Sequence, residues 1–383
     1  MSLFNDLAGY WLDGAVRTLD SIGRGFGSRV SADPPPVTPY QVVYEGGKVS
    51  LRHYRARNRI HATPIVLVYA LIKRPFVLDL QPGKSVVEIL LKQGFDVYLI
   101  DWLPPTRADA WRGFDAYVNQ DLDNAIRAVQ IAEDVDQVNV LGYCFGALLS
   151  LLYAALHPQK VKNLVTLTAP FEMGSHDLPI YSLIDRIDDT AFDLIAKIYG
   201  NCPAWMVNSM FTAMAPMHHA FDKYVGMYRN AEREGYAEMF ELFERWMQSD
   251  VPLAGQIFRE MTTDIFKGNK LAKGEFEVGG RRVDLRQITM PFLNVVATLD
   301  DVVHPNSSLP LIDHVGGADK RNLAFPTGHL GAVVGAGALK KMWPEIGGWL
   351  ADRDHQTNRS RRMAESAGFV ARATIWSASP AAE

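Results

Sequence analysis

The chain has 383 residues, 48% of them hydrophobic, with a net charge of −4 and two cysteines. That balance excludes the clustered basic footprint of a nucleic-acid binder, and the lack of any apolar run of about 18 residues excludes a spanning helix. Cys144 and Cys202 make no disulfide framework, and the start Met1-Ser2-Leu3-Phe4-Asn5-Asp6 lacks the basic-then-apolar layout of a secretory signal, so a reducing cytoplasm is the expected setting.

In chain order, residues 1–37 form an expected amphipathic arm, with Leu7, Trp11, Leu12, Val16 and Leu19 at helical spacing before Pro34-Pro35-Pro36 stops the helix. Tyr40–Tyr44 and Val49–Tyr54 flank Gly46-Gly47 as a hairpin. Ile65–Ala70 is an apolar run of the kind buried on both faces of a parallel sheet. Helix Ser85–Lys92, strand Val97–Trp102, helix Asp115–Asp134, strand Val138–Leu141, helix Ala147–Leu156 and strand Leu164–Leu167 follow. This alternation predicts right-handed crossovers and a mostly parallel sheet.

From Phe171 to Ile288 the alternation breaks into a helical stretch rich in Met and aromatics, among them Trp205, Met206, Met210, Phe211, Met214, Met217, Tyr236, Met239, Phe240, Phe243, Trp246 and Met247. It is expected to be a cap inserted into the sheet. Its Met and aromatic stripe is read first as the cap's own core, and second as an adaptable apolar surface. Strands Phe292–Ala297 and Asn322–Phe325 resume the sheet, and a helix Ala338–Leu350 is predicted to kink at Pro344. The expected organisation is an arm at 1–37, an α/β core at 38–170 and 289–352, a cap at 171–288 and a frayed tail at 353–383.

The chemistry centres on Gly142-Tyr143-Cys144-Phe145-Gly146, between the strand at 138–141 and the helix that follows. Strand, sharp turn and helix around G-x-S-x-G resemble the nucleophile elbow of the α/β-hydrolase fold, here with sulfur in place of oxygen. In that fold the partners follow in the order nucleophile, acid, histidine, each after a strand. Asp300 follows the strand at 292–297, and His329 in Gly328-His329-Leu330 follows Phe325. Asp301 competes with Asp300, which is nearer the strand end and has Val302-Val303 to anchor its loop. His304 is a second candidate base, ranked below His329 because it shares the acid's loop. Cys202, before Pro203, is read as an ordinary buried thiol. An oxyanion hole needs two backbone N–H groups. Phe145 is expected to supply one, and the loop after Ile65–Ala70 the other, through Ile72 or else Leu71. The ten histidines are scattered and no Cys/His cluster has zinc spacing, so no metal and no cofactor are expected.

Beyond the elbow, several segments resemble the catalytic subunit of polyhydroxyalkanoate (PHA) synthases of the short two-component kind, class III or class IV. They are Val43-Tyr44-Glu45, the run from Tyr69 through Leu78-Asp79-Leu80 to Gln81, Asp96 to Ile100-Asp101-Trp102, the cysteine box and Gly328-His329, spread over residues 40–350. The resemblance implies that an (R)-3-hydroxyacyl-CoA loads Cys144 and releases CoA, and that a 3-hydroxyl then takes the acyl group so that a polyester chain grows. It implies His329 as base for the thiol, and Asp300 either activating the hydroxyl or holding His329. It also implies a second, unrelated synthase subunit, a homodimer, and residence at polyester granules. Three positions depart from the family pattern: Ala147 replaces a glycine, Asp301 stands where a histidine is usual, and Leu103 replaces a glycine. The competing readings are a cysteine-dependent hydrolase, either thioesterase or polyester depolymerase, and a non-catalytic granule scaffold.

Overall fold

The structure, a computed structural model, describes residues 33–173, 184, 186–214 and 236–354, without the side chains of 211–214 and 236–237. The expected arm and tail, Met217, and the side chains of Phe211, Met214 and Tyr236 therefore lie almost wholly outside the described residues.

Eight strands form one sheet: β1 (Gln41–Gly46), β2 (Val49–Tyr54), β3 (Ile65–Val68), β4 (Val97–Trp102), β5 (Val138–Tyr143), β6 (Val161–Leu167), β7 (Phe292–Ala297) and β8 (Lys320–Phe325). Their spatial order is β1-β2-β4-β3-β5-β6-β7-β8. The hairpin β1/β2 and the pair β2/β4 are antiparallel, and every other neighbouring pair is parallel. β3, β4, β5 and β7 are buried along their whole length, as both-face coverage by helices requires, whereas the edge strands β1 and β8 are largely open.

Asn139 and Asn294 interrupt two of these apolar strands, and the sheet uses them as lateral ties. Asn163 Nδ2 donates to Asn139 Oδ1 at 2.7 Å, Thr166 Oγ1 to Asn294 Oδ1 at 2.9 Å, and Asn294 Nδ2 to Asn322 Oδ1 at 2.9 Å. A one-residue slip would leave these amides unpaired in the core, so they help to fix the register.

Helix α1 (Val86–Lys92) is N-capped by Ser85, whose Oγ accepts from Glu88 N–H. The helix expected over 115–134 is continuous but widens to a π-helix over Ala116–Leu122 before α2 (Asp123–Glu133). All twelve residues of α3 (Phe145–Leu156) are buried against the sheet. The last helix meets Pro344 just after a π-helical turn, Ala338–Met342, and runs on over 343–354. A proline inside a helix disrupts the bond to the fourth residue back, and the wide turn lies where that disruption falls.

Between β6 and β7 the described chain is mostly helical: α4 (Asp189–Tyr199), α5 (Ala204–Met214), α6 (Tyr236–Met247), α7 (Gly255–Glu260) and a π-helix over Met261–Lys267. The helical expectation passes over one feature. Glu277–Val278 and Arg281–Arg282 pair as a small antiparallel hairpin, turned by Gly279 and Gly280 at φ 58° and 72°. Both central residues at positive φ make the kind of turn that matches strand twist, and glycines take it without strain.

Candidate active site

β5 ends at the elbow. Cys144 takes φ 56° and ψ −123°, a conformation non-glycine residues rarely adopt, and it lifts the side chain out at the head of α3. Its neighbours explain the two glycines. A Cβ on Gly146 would stand 2.0 Å from the Val68 carbonyl oxygen, and one on Gly142 would stand 2.5 Å from Ala147 Cα. Here glycine is needed for close approach, since neither residue has positive φ. Ala147 is fully buried in the first turn of the helix, so the missing third glycine leaves the turn intact.

Asp300 and His329 come to the same spot from the ends of β7 and β8. His329 Nδ1 lies 2.7 Å from Asp300 Oδ2, with both side chains buried. The other oxygen, Asp300 Oδ1, accepts the backbone N–H groups of Val302 and Val303, each at 2.9 Å. The Val302-Val303 pair thus anchors the acid's loop by the buried Val303 side chain and also by two main-chain donors. With both oxygens engaged, the carboxylate is fixed as an orienting group for the ring.

Cys144 is the second group whose charge acts on the His329 ring. Since Nδ1 faces Asp300, Nε2 is the nitrogen left for sulfur. Burial by itself would lower the imidazole pKa, but Asp300 and then Cys144 outweigh it and hold the ring well above its ordinary value. Tyr143 adds a further hold, its hydroxyl donating to the His329 carbonyl at 3.2 Å.

Cys144 and His329 open on one cavity of about 400 Å³, walled by Tyr69, Ile72, Trp246, Met247 and Leu299 among others. A smaller apolar pocket joins it at Ile72, Cys144 and Val302, and is closed by Phe145, Met210, Phe258 and Met261. Described members of the Met and aromatic stripe divide between core and cavity wall. Met239 and Phe243 pack on the core, while Trp246, Met247 and Met210 line the cavities. Of the two residues named for the second oxyanion donor, Ile72 is the one found in both walls.

The remaining candidates fall elsewhere. Asp301 lines the cavity without the hydrogen bonds that hold Asp300. His304 caps a short helix, its Nδ1 accepting from Asn306 N–H at 3.3 Å. Cys202 is wholly buried, and burial pushes its thiol pKa up.

Two of the resemblance segments, around Asp79 and around Asp101-Trp102, act as ties on the loop after β3 and the chain that follows it. Trp102 Nε1 donates to the Tyr69 carbonyl at 2.8 Å, Arg74 pairs with Asp101 at 3.0 Å, and Asp79 accepts from Ser85 and Thr38 hydroxyls at 2.6 and 2.8 Å. Among the described residues one group has the makings of a metal site, His53, Asp96 and Glu133. The Arg59 guanidinium pairs with both carboxylates, and Ala56 N–H and the Tyr98 hydroxyl donate to them, so both carboxylates are already engaged by protein partners.

These features define an α/β-hydrolase-fold protein with a Cys-His-Asp site. A family model for the alpha/beta hydrolase fold matches residues 63–185, and a model described as a protein of unknown function (DUF3141) matches residues 194–325. Among solved structures, a putative lipase from Sulfolobus solfataricus has TM-score 0.53 at 13% identity, over 82% of this chain and 99% of that one. The Paleococcus ferrophilus monoacylglycerol lipase has TM-score 0.52 at 16% identity, over 80% of this chain and 100% of that one. At such identities the likeness speaks for the fold alone.

Closer relatives are named poly(3-hydroxyalkanoate) polymerase subunit PhaC. The protein from Allochromatium vinosum is 35% identical over 87% of this chain and 94% of its own length, and that from Synechocystis is 35% identical over 82% and 85%. The protein from Haloferax mediterranei is 36% identical over 82% of this chain, which spans 64% of that relative's length. The chain belongs to the poly(3-hydroxyalkanoate) polymerase subunit PhaC family, a family of acyltransferase-type enzymes. Among the described residues no helix is long and apolar enough to cross a membrane.

Proposed function

We propose that the protein is a polyester synthase that loads the acyl group of an (R)-3-hydroxyacyl-CoA onto Cys144, releases CoA, and passes the acyl group to the hydroxyl of a growing polyhydroxyalkanoate chain. The observation that carries this reading is the convergence of Cys144 and His329 on one cavity, with Asp300 bonded to the ring from behind, in a chain of the polymerase family.

In the first half-reaction His329 Nε2 takes the Cys144 proton, and the thiolate attacks the substrate thioester carbonyl. The oxyanion that forms is met by the N–H groups of Phe145 and Ile72. Collapse expels the CoA thiolate, which takes the proton back from His329 and leaves as free CoA. One thioester replaces another, so the step is nearly balanced and the acyl group stays activated. In the second half-reaction a 3-hydroxyl gives its proton to His329 and attacks the Cys144 thioester. An ester forms and the sulfur is released to be reprotonated. Asp300 holds the ring in the tautomer and orientation both halves need. The cavity's apolar wall favours a chain hydroxyl over water as the second nucleophile. The likeness to two-component synthases extends the proposal to an unrelated second subunit, a homodimer and residence at polyester granules.

The test is the product formed from radiolabelled 3-hydroxybutyryl-CoA, with the chain alone and with a candidate second subunit. Free CoA together with polymer is the expected result, and Cys144→Ala should give neither. Labelled 3-hydroxybutyrate without polymer would replace this reading with a cysteine hydrolase.

A further inference from the structure

Ile72 lies in neither a strand nor a helix, so something outside regular secondary structure must hold its backbone. On one side the loop is tied to β4 through Arg74 and Asp101. On the other it is gripped by the end of α6 and the residues after it, part of the segment between β6 and β7. Trp246 Nε1 donates to the Arg74 carbonyl at 2.9 Å, and Val251 N–H donates to the Ile72 carbonyl at 3.1 Å. Lys73 and Asp250 face one another as an isolated antiparallel bridge. The Lys73 ammonium lies 2.5 Å from Asp250 Oδ1, donates to the Met247 carbonyl at 2.6 Å, and stands over the Trp246 ring at 5.4 Å from its centroid.

Both members of this pair are buried, Lys73 to 9% and Asp250 to 7% exposure. Burial disfavours both charges, pushing the Lys73 ammonium down and the Asp250 carboxyl up, and each is sustained by the other. A buried ion pair adds little stability over an apolar pair of similar size, so its presence calls for another reason. Here it joins the cavity wall, which Lys73 lines, to the inserted segment, at the residue next to the candidate oxyanion donor.

We propose that Lys73 and Asp250 are a positioning pair, a latch by which the segment between β6 and β7 fixes the Ile72 backbone against Cys144. The inference rests on the reading of Ile72 as an oxyanion donor. It differs from the catalytic roles already given, because neither side chain touches the reacting atoms and neither exchanges a proton with substrate. The latch makes acylation depend on the inserted segment being seated: if residues 247–251 move away, Ile72 loses its hold while Cys144, His329 and Asp300 keep theirs.

The test separates carbonyl chemistry at Cys144 from plain thiol chemistry. Alkylation by iodoacetamide forms no oxyanion and follows the thiolate alone, whereas acylation by p-nitrophenyl acetate or 3-hydroxybutyryl-CoA needs the oxyanion donors. Asp250→Asn and Lys73→Met should lower acylation about 10- to 100-fold, mostly in kcat, a loss of the order seen when an oxyanion donor is weakened. Alkylation of Cys144 should stay within about twofold of the wild type, because neither Lys73 nor Asp250 bonds to Cys144 or His329. The double variant Lys73→Met with Asp250→Leu replaces the charges by apolar groups, so its melting temperature should recover while acylation stays low. Equal losses in both reactions, an unchanged ratio, or acylation that recovers with stability in the double variant would each overturn the latch. If p-nitrophenyl acetate loads the wild type but 3-hydroxybutyryl-CoA gives no polymer, the polymerase reading falls and the ratio still decides the latch. If neither donor loads the wild type, both fall.

Discussion

Around Cys144 a buried strand stops, the backbone turns through φ 56°, and a helix of twelve buried residues begins. Around Cys202 the chain is extended, pairs with Leu253 and leads into Pro203 and α5. Both thiols are buried, at 8% and 0% exposure, so burial alone does not tell them apart. What differs is company. Cys144 faces a cavity and an imidazole held by a carboxylate, while burial alone dominates the Cys202 thiol and raises its pKa. The environment of Cys144 is thus a property of the turn and of the late loops that converge on it.

The largest test of that contrast removes each sulfur. Cys144→Ala should lower CoA release at least about 10³-fold, the usual consequence of deleting a nucleophile. Cys202→Ala should leave turnover within about threefold and cost about 1 kcal/mol in stability through the small cavity it opens, read by thermal melting. In the native protein a thiol reagent should modify one equivalent, at Cys144, and none in Cys144→Ala until denaturant is added.

Asp300 and Asp301 offer the next contrast, two adjacent carboxylates of which one is engaged at both oxygens. Asp300→Asn should lower turnover about 10²- to 10⁴-fold by turning the imidazole toward the wrong tautomer. Asp301→Asn should cost at least tenfold less by the same measurement, about the margin expected of a group that makes no bond to the base. Comparable losses would mean that the acid has been misassigned.

The elbow itself can be broken by one methyl group. Gly146→Ala would drive a Cβ to 2.0 Å from the Val68 carbonyl, a backbone atom that cannot step aside, so a loss of about 3 kcal/mol or more is expected in denaturant unfolding. Restoring the family's usual residue with Ala147→Gly should be the milder change, about 1 kcal/mol from the helix propensity of glycine, with the turn preserved.

These contrasts also mark how far the sequence could be read. The parallel strands were legible because both faces are buried, which leaves runs such as Ile65–Val68 and Phe292–Ala297 almost wholly apolar. The placement of Cys144, Asp300 and His329 was legible because each follows a strand in the expected sequence. The choice of Asp300 could be argued, but its physical ground, two main-chain N–H groups on one oxygen, needs coordinates. Tyr143 sits inside the cysteine box, yet nothing in the box says that its hydroxyl reaches the His329 carbonyl. The Lys73–Asp250 pair spans 177 residues of sequence, and no period or motif links its ends. The hairpin at 277–282 has strands of two residues, too short to alternate, although Gly279-Gly280 is a turn signal. Segments that fold on their own pattern can be read locally, and those held by distant partners cannot.

The smallest expected effect concerns the charge on His329. Its folded pKa lies well above the ordinary histidine value, because Asp300 and Cys144 outweigh the burial that would lower it. The stability it contributes is therefore complete below the unfolded value of about 6.5 and is lost as pH rises through the folded pKa. Wild-type melting temperature should fall across this alkaline window more steeply than that of His329→Gln, which has no imidazole to titrate. Cys144→Ala removes one of the two groups that hold the proton and keeps the other. Its window should therefore start at lower pH than in the wild type yet still lie above that of free histidine. A Cys144→Ala curve that overlays the wild type would mean that sulfur and ring do not sense each other's charge, and the pairing of Cys144 with His329 would have to be given up.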